Sequence, residues 1–255
     1  MKIVICGYGR MGHEVEKAAL SRGHTVIARI DPIQGAGDES NIGDVNLKES
    51  DGVIEFSWPS AVMDNARAYV QSGVPAVVGT NWIRVSNRFG CCVSNSIPLH
   101  SVRPSRWSVG AHLFFALVEK AAAIINPFAE YDIMVQEYHH RQKADSPSGT
   151  ALTIGEKILT NNTRKTSIIS ECLHRCIESN ELHIGSVRGG SIRGTHSVTV
   201  DSQADTITLT HAARDRTGFA TGAVMALEWL RQRSGLFTVD RHRLAGANEY
   251  GVPVL

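Results

Sequence analysis

The sequence predicts an α/β protein in which an N-terminal, doubly wound parallel sheet is joined to a second, α+β region built on an open mixed sheet. Three observations lead there. Short β-branched apolar runs alternate with helix-length segments over the first 80 residues, and a glycine-rich turn follows the first run directly. Further along, YDIMVQEYHH (131–140), SVTV (197–200) and TITLT (206–210) read as strands covered on one side only.

The first run, KIVIC (residues 2–6), is nearly all apolar, as a strand buried on both faces must be. It enters GYGRMG, where Gly7, Gly9 and Gly12 stand at the spacing of a dinucleotide-binding turn. Glycine there permits the tight bend, the approach of a pyrophosphate and close helix packing. The helix expected over 10–21 places Arg10 and Met11 in its first turn, where unpaired N–H groups favour phosphate. TVIARID (25–31) reads as a second strand ending in Asp31, 19 positions after Gly12, near the spacing of a ribose-binding carboxylate. Asp31 also precedes Pro32, so a turn-forming role is the competing reading. The polar stretch 34–50 reads as a surface excursion, and GVIEFS (52–57) and PAVVGT (75–80) as further strands around a helix over 59–71. Right-handed crossovers then build the doubly wound sheet.

A carboxylate at Asp31 favours NADH, because it repels the extra phosphate of NADPH, whereas Arg10 or Arg29 could pair with that phosphate. NADH, NADPH or both are therefore expected.

Composition narrows the function further. At 255 residues, 42% hydrophobic and 20% charged, the chain suits one large domain or two modest ones. Its 26 Lys and Arg balance 25 Asp and Glu, so no global field favours nucleic acid or an anionic membrane, and any anion site is local. The N-terminal apolar run ends too early for a signal peptide, and no run of about 18 apolar residues occurs, which points to the cytoplasm. Five cysteines form an odd, sparse set read as reduced thiols, and ECLHRC (171–176) lacks a fourth zinc ligand, so no metal is expected.

The densest chemistry lies in EYHHRQKADSPSGTA (137–151). His139 and Lys143 are four apart, a spacing that shares a face in a continued strand and in a helical turn alike, while His140 points away. They form a candidate acid and base pair. Pro147, Ser148 and Gly149 read as a turn before a helix over 150–159, whose first N–H groups, at Gly149 and Thr150, suit an anion. Cations from the strand end and amides from the helix start describe a pocket for a small molecule with more than one carboxylate. A solvated basic turn with an ordinary helix entry is the competing reading.

That stretch closely resembles the E-x-H-H-x-x-K-x-D-x-P-S-G-T-A signature of the dihydrodipicolinate reductase (4-hydroxy-tetrahydrodipicolinate reductase) family. GYGRMG, VIEFSWPSAV (53–62), VVGT (77–80), SVRGGSIRGTHSV (186–198) and HAARDRTGFATGAV (211–224) match in family order, so the likeness spans most of the chain to about residue 235. It implies a Rossmann-type reductase that uses NADH or NADPH on a cyclic, imine-type dicarboxylate. It further implies that His139 and Lys143 handle the proton, with Lys143 favoured as general acid, and that His140, Lys143, Gly149 and Thr150 hold the substrate carboxylates. Gly7, Gly9, Arg10, Met11, Gly12 and Asp31 would hold the adenosine and pyrophosphate. Phe56, Gly79 and Thr80 would line the nicotinamide. A homotetramer is implied as well.

The chain departs from the family pattern in one region. Asn81 follows Thr80 where another threonine is usual, and PSRWS puts Arg106 and Trp107 where Asn and Phe normally seat the nicotinamide. Trp107 keeps an aromatic wall; Arg106 replaces a neutral amide with a permanent cation. The order of the pieces gives a nucleotide-binding domain of residues 1–108 and 216–255, and a substrate-binding and oligomerisation domain of residues 109–215, with ligand in the cleft between them. A non-catalytic NAD(H)-binding relative and a different dehydrogenase of a small amino or hydroxy acid are the alternatives; a nucleic-acid binder would need a basic, aromatic-studded surface.

Overall fold

The computed structural model describes residues 1–80, 101–103, 108–231, 233 and 235–238. The departures at Asn81, Arg106 and Trp107 lie outside the described residues. In chain order the first elements are β1 (Lys2–Cys6), α1 (Arg10–Ser21), β2 (Thr25–Ile30), β3 (Gly52–Glu55), α2 (Val62–Ser72), β4 (Ala76–Val78), β5 (Ser101–Arg103) and α3 (Val109–Ile125). They are followed by β6 (Asp132–His139), α4 (Gly149–Asn161), β7 (Ser167–Ile169), β8 (Glu181–Arg188), β9 (Thr195–Asp201), β10 (Thr206–Ala212), α5 (Thr217–Leu230) and β11 (Leu236–Thr238). The described residues divide into two compact units, one of residues up to 109 together with those from 216 to 238, the other of residues 110–215.

The first unit is a six-stranded sheet in the order β11-β5-β4-β3-β1-β2, with every neighbouring pair parallel. From β1 the chain goes to β2 on one side and then crosses back to β3 on the other. The strand order therefore reverses beside β1, which opens a ligand crevice at the carboxyl ends of the strands. Successive side chains of a strand face opposite ways, so β1 must be apolar throughout. Ile3 and Ile5 pack with Ile54 and Val77 against Val15, Ala19, Val224 and Leu227 of α1 and α5. Val4 and Cys6 pack with Ala28 and Val53 against Ala66 and Tyr69 of α2. Leu227 lies over Gly52, where a Cβ would come 2.5 Å from its Cδ1, so the missing side chain is what lets α5 settle on β3.

The second unit is a five-stranded sheet in the order β10-β9-β6-β8-β7. β9 pairs antiparallel with both β10 and β6, while β6 and β8 are parallel, as are β7 and β8. α3 and α4 bury one face of it, with Phe114, Phe115, Ile154 and Ile158 against Ile133, Val135, Ile184 and Val198. The outermost strand, β10, is mostly exposed, including Ile207 at 52%.

Several boundaries move from their sequence expectations for local reasons. The helix expected from residue 59 starts at Val62, because the Ala61 N–H donates to the Trp58 carbonyl 2.9 Å away and closes a turn first. The polar excursion contains two single 3₁₀ turns and a bridge between Ile30 and Glu39. β6 stops at His139 and does not continue to Lys143. Its partner β8 ends at Arg188 in a Gly189–Gly190 turn, with Gly190 at φ +54°, so the ladder has nothing left to pair with. The sequence reading had no counterpart for α3, whose apolar residues occupy exposed as well as buried faces and so blur the helical period.

Candidate active site

The nucleotide side is built at the ends of β1, β3 and β4. Gly7 leaves β1 with φ +87°, its N–H donating to the Ile30 carbonyl at 2.8 Å. A Cβ at Gly7 would stand 2.5 Å from the Phe56 carbonyl carbon and the Ser57 nitrogen, so only glycine fits. At Gly12 a Cβ would stand 2.5 Å from the Gly7 oxygen, which is how α1 begins so close to β1. Gly9 caps α1 without a side-chain hydrogen bond, and no acidic residue occupies the first turn. The N–H groups of Arg10, Met11 and Gly12 therefore lack intrahelical acceptors and point a positive dipole end at any phosphate placed there. A side chain at Gly79 would run into the Phe56 ring, and Thr80 Oγ1 donates to the Ser57 carbonyl at 2.6 Å. Phe56, Gly79 and Thr80 thus gather around the same glycine turn.

Asp31 forms the turn that its place before Pro32 suggested. Its Oδ1 accepts from the Ile33 N–H at 3.0 Å, forming the turn at Pro32, and its Oδ2 accepts from the Tyr8 N–H at 2.9 Å, tying β2 to the glycine turn. The carboxylate is 8% exposed and keeps acceptor capacity beyond these two bonds. Arg29 is already engaged by Glu16 and Asp38, the latter 2.9 Å from Nη1, and Arg10 is exposed. Beneath the turn, Glu55 is fully buried; burial raises its pKa against the hydrogen bonds from Ser57, Asn65 and Tyr69, and the Cys6 thiol is pushed up to about 12, chiefly by burial.

The second unit carries the basic turn. His139 ends β6 on the buried face with Ile133, Val135 and Glu137, and is 7% exposed. The chain then turns, the Lys143 N–H donating to the His140 carbonyl at 3.1 Å. Lys143 Nζ is 2.6 Å from Asp145 Oδ1. Burial acts to raise the Asp145 pKa, but Lys143 and the Gly149 N–H outweigh it and hold the carboxyl below its ordinary value. Gly149 opens α4, and Ser148 caps that helix by accepting from the Ala151 N–H at 3.2 Å. His140 Nδ1 is buried without a hydrogen-bond partner, although its backbone N–H bonds to the Ile192 carbonyl at 2.8 Å. The structure therefore brings His140, Lys143 and Gly149 to one turn, with Thr150 next in the helix.

Behind His139 lies a constellation the sequence reading did not single out. Glu137 is completely buried, and its Oε1 accepts from Ser148 N (2.8 Å), Ser186 Oγ (2.9 Å) and Arg188 Nη2 (2.7 Å). Its Oε2 faces His139 Nδ1 at 3.4 Å and His196 Nε2 at 3.3 Å. Strand register assembles this group: β8 sets Ser186 beside Glu137 and Arg188 beside His139, and β9 sets His196 beside Glu137. Burial alone would raise the Glu137 pKa; the His196 ring facing it and hydrogen bonds from Ser148 and Arg188 overcome it and hold the carboxyl well below the usual range. Burial, with His196, Lys143 and Arg188, pushes His139 down to about 4 against the opposing pull of Glu137. Ligand-capable atoms of Glu137, His139 and His196 lie within 4.8 Å of one another, the one such group among the described residues. The guanidinium of Arg188 on the same carboxylate is a permanent cation at that spot, so we read the group as a hydrogen-bonded network.

A glycine turn shaped for a pyrophosphate, on a doubly wound sheet followed by a basic, helix-capped anion turn, defines a nicotinamide-nucleotide-dependent oxidoreductase. Family profiles described as "Dihydrodipicolinate reductase, N-terminus" and "Dihydrodipicolinate reductase, C-terminus" match residues 1–83 and 110–242. The chain belongs to the dihydrodipicolinate reductase family. A curated 4-hydroxy-tetrahydrodipicolinate reductase from Christiangramia forsetii is 35% identical over 243 residues, covering 94% of this chain and 96% of that protein. One from Archaeoglobus fulgidus is 32% identical over 260 residues, covering 94% and 98%. Among solved structures, a dipicolinate-bound dihydrodipicolinate reductase from Paenisporosarcina sp. TG-14 shares the fold with TM-score 0.67 at 20% identity, covering 93% of this chain and 97% of that one.

Proposed function

We propose that this chain reduces 4-hydroxy-tetrahydrodipicolinate to tetrahydrodipicolinate with NADH, NADPH or both. One substrate, one reduced nucleotide and one proton enter; product, oxidised nucleotide and water leave. The observation that carries the reading is the position of Asp145: the chain's own carboxylate lies where the Lys143 ammonium and the Gly149 N–H converge, as a substrate carboxylate would. The named relatives support the particular substrate.

When bound, the nicotinamide supplies the hydride. The glycine turn fits such a nucleotide, because Gly7 and Gly12 let the backbone fold tightly against Phe56 and α1 while the first N–H groups of that helix are left for a phosphate. Gly7, Gly9, Arg10, Met11, Gly12 and Asp31 hold the adenosine and pyrophosphate in this reading, and Phe56, Gly79 and Thr80 the nicotinamide. His140, Lys143, Gly149 and Thr150 hold the carboxylates. His139, held near pKa 4, is neutral at pH 7 and works through hydrogen bonding, so Lys143 is the group with a proton to give. The engagement of Arg29 by Glu16 and Asp38 leaves it little freedom to pair with an NADPH phosphate, which favours NADH.

A homotetramer working in the cytoplasm completes the proposal. The exposed outer strand β10 offers an open sheet edge for pairing between subunits, and the described cysteines, Cys6, Cys172 and Cys176, are free thiols. Among the described residues no helix is long and apolar enough to cross a membrane.

The deciding experiment supplies enzymically generated substrate with NADH or NADPH and follows the loss of reduced-nicotinamide absorbance. Turnover supports the proposal. Nucleotide binding without turnover would favour the non-catalytic reading.

A further inference from the structure

We propose that Glu137 and His196 form a buried positioning pair behind His139: the Glu137 carboxylate fixes the His139 ring as its Nδ1–H tautomer and leaves Nε2 as an acceptor toward the reacting site. This rests on the reading of His139 as a group that acts in the reaction.

A carboxylate can only accept hydrogen bonds, so a ring nitrogen facing it must carry the proton or set a lone pair against it. Glu137 spends Oε1 on three donors, from Ser148, Ser186 and Arg188, and leaves Oε2 to the two imidazoles at 3.4 and 3.3 Å. At those separations neither Glu137 Oε2 nor His139 Nδ1 has a finished hydrogen bond, although both are buried, and such contacts tighten when a site fills. His196 Nε2 also lies 3.2 Å from Ser148 Oγ, which already accepts from Ala151 N–H, so the proton on that edge of His196 has two acceptors. The opposite nitrogen, His196 Nδ1, is buried without a partner. Left as a bare lone pair it costs less than a stranded N–H, which favours the same assignment. On the far side of His139, a Cβ at Gly194 would stand 3.0 Å from Nε2, so glycine keeps that nitrogen clear.

The titratable and charged groups facing His139 come from its own strand (Glu137), from β8 (Arg188), from β9 (His196) and from the following turn (Lys143), and of these Glu137 alone favours its protonated form. Removing that carboxylate frees the tautomer and leaves His139 with Lys143 and Arg188 as the charges facing it.

The test uses full-length protein with nitrogen-15-labelled histidine. In the unmodified protein, NMR shifts should report His139 as the Nδ1–H form near neutral pH; an Nε2–H form would overturn the proposal without any variant. Glu137→Gln should lower kcat by about 10- to 10²-fold, short of the loss of a direct acid–base group. It should also mix the His139 tautomers and move the acid limb of the pH–rate profile to lower pH, with KM for NADH unchanged. Unchanged tautomer and profile in a folded Glu137→Gln protein would sink it. Ser186→Ala removes a bond to Oε1 but leaves Oε2 in place, so it should keep the unmodified tautomer and profile; if it reproduced the shift, the effect would be structural and the proposal wrong. His139→Gln tests the underlying reading: lost turnover supports it, and full turnover would remove it together with this inference.

Discussion

Lys143 Nζ and Asp145 Oδ1 are 2.6 Å apart, so the ammonium the sequence offered to a substrate is held by a neighbour two residues away. The sequence pointed to cations gathered at the strand end before the helix; the structure adds an anion beside Lys143. A partly exposed pair of this kind contributes about 0–1 kcal/mol, which a dicarboxylate has to exchange for its own contact with Lys143. Asp145→Asn removes the competing charge, and dipicolinate should then bind about 2- to 5-fold more tightly to the nucleotide-loaded protein. Calorimetric titration measures it. Weaker binding would mean that Asp145 orients Lys143 and does not compete for it.

If Lys143 donates the proton, Lys143→Ala should lower turnover by about 10²- to 10⁴-fold. NADH affinity, which the proposed function assigns to the glycine turn, should stay within about 2-fold. Steady-state rates and fluorescence titration separate the two effects. Turnover near that of the unmodified protein would take Lys143 out of the chemistry.

What could be read from the sequence was whatever depends on neighbours along the chain. The turn at Gly7 and Gly12 was legible because a positive φ and backbone contacts of 2.5 Å leave glycine as the residue that fits. α1 was legible from the same turn, and His139 from its four-residue spacing from Lys143 in the basic stretch. Glu137 lay in the quoted motif and yet passed unremarked. Its role depends on Ser186, Arg188 and His196, brought alongside by strands some 50 residues further on, and no local pattern announces which strands will flank β6. The end of β6 at His139 is a fact of the same kind, since it is decided by the turn at Gly189 and Gly190 in the neighbouring strand. An i, i+2 pairing of Glu137 with His139 on one strand face was the one signal that could have found the acid.

Gly12→Ala should damage nucleotide binding selectively. The added methyl group would stand 2.5 Å from the Gly7 carbonyl oxygen, a backbone atom that can yield only by moving the turn or tilting α1. Overpacking of that kind costs about 1–3 kcal/mol, so NADH should bind roughly 5- to 150-fold more weakly. Dipicolinate binding by the nucleotide-free protein should be unchanged, because the carboxylate contacts proposed for the substrate lie in the turn after β6 and at the start of α4. Equal losses of both ligands would point to general unfolding instead, which a thermal melt would reveal.

Acid should weaken the fold through the same buried cluster. His139 titrates at about 4 in the folded protein, below the ordinary histidine value of 6.5, so folding favours its neutral form. That contribution to stability is fully present above pH 6.5 and is lost as pH falls through about 4. Glu137, held below its ordinary 4.5, acts in the same direction: its contribution is present above 4.5 and declines as the solution becomes more acidic. Glu55 opposes them, since burial raises it and its contribution is present below 4.5 and lost as pH rises. Urea midpoints measured from pH 7 down to pH 4 should therefore fall, and His139→Gln should flatten the upper part of that slope, where Glu137 has not begun to titrate. A slope unchanged by His139→Gln between pH 6.5 and pH 5 would show that the imidazole is protonated in the folded state, in conflict with its burial beside Arg188 and His196.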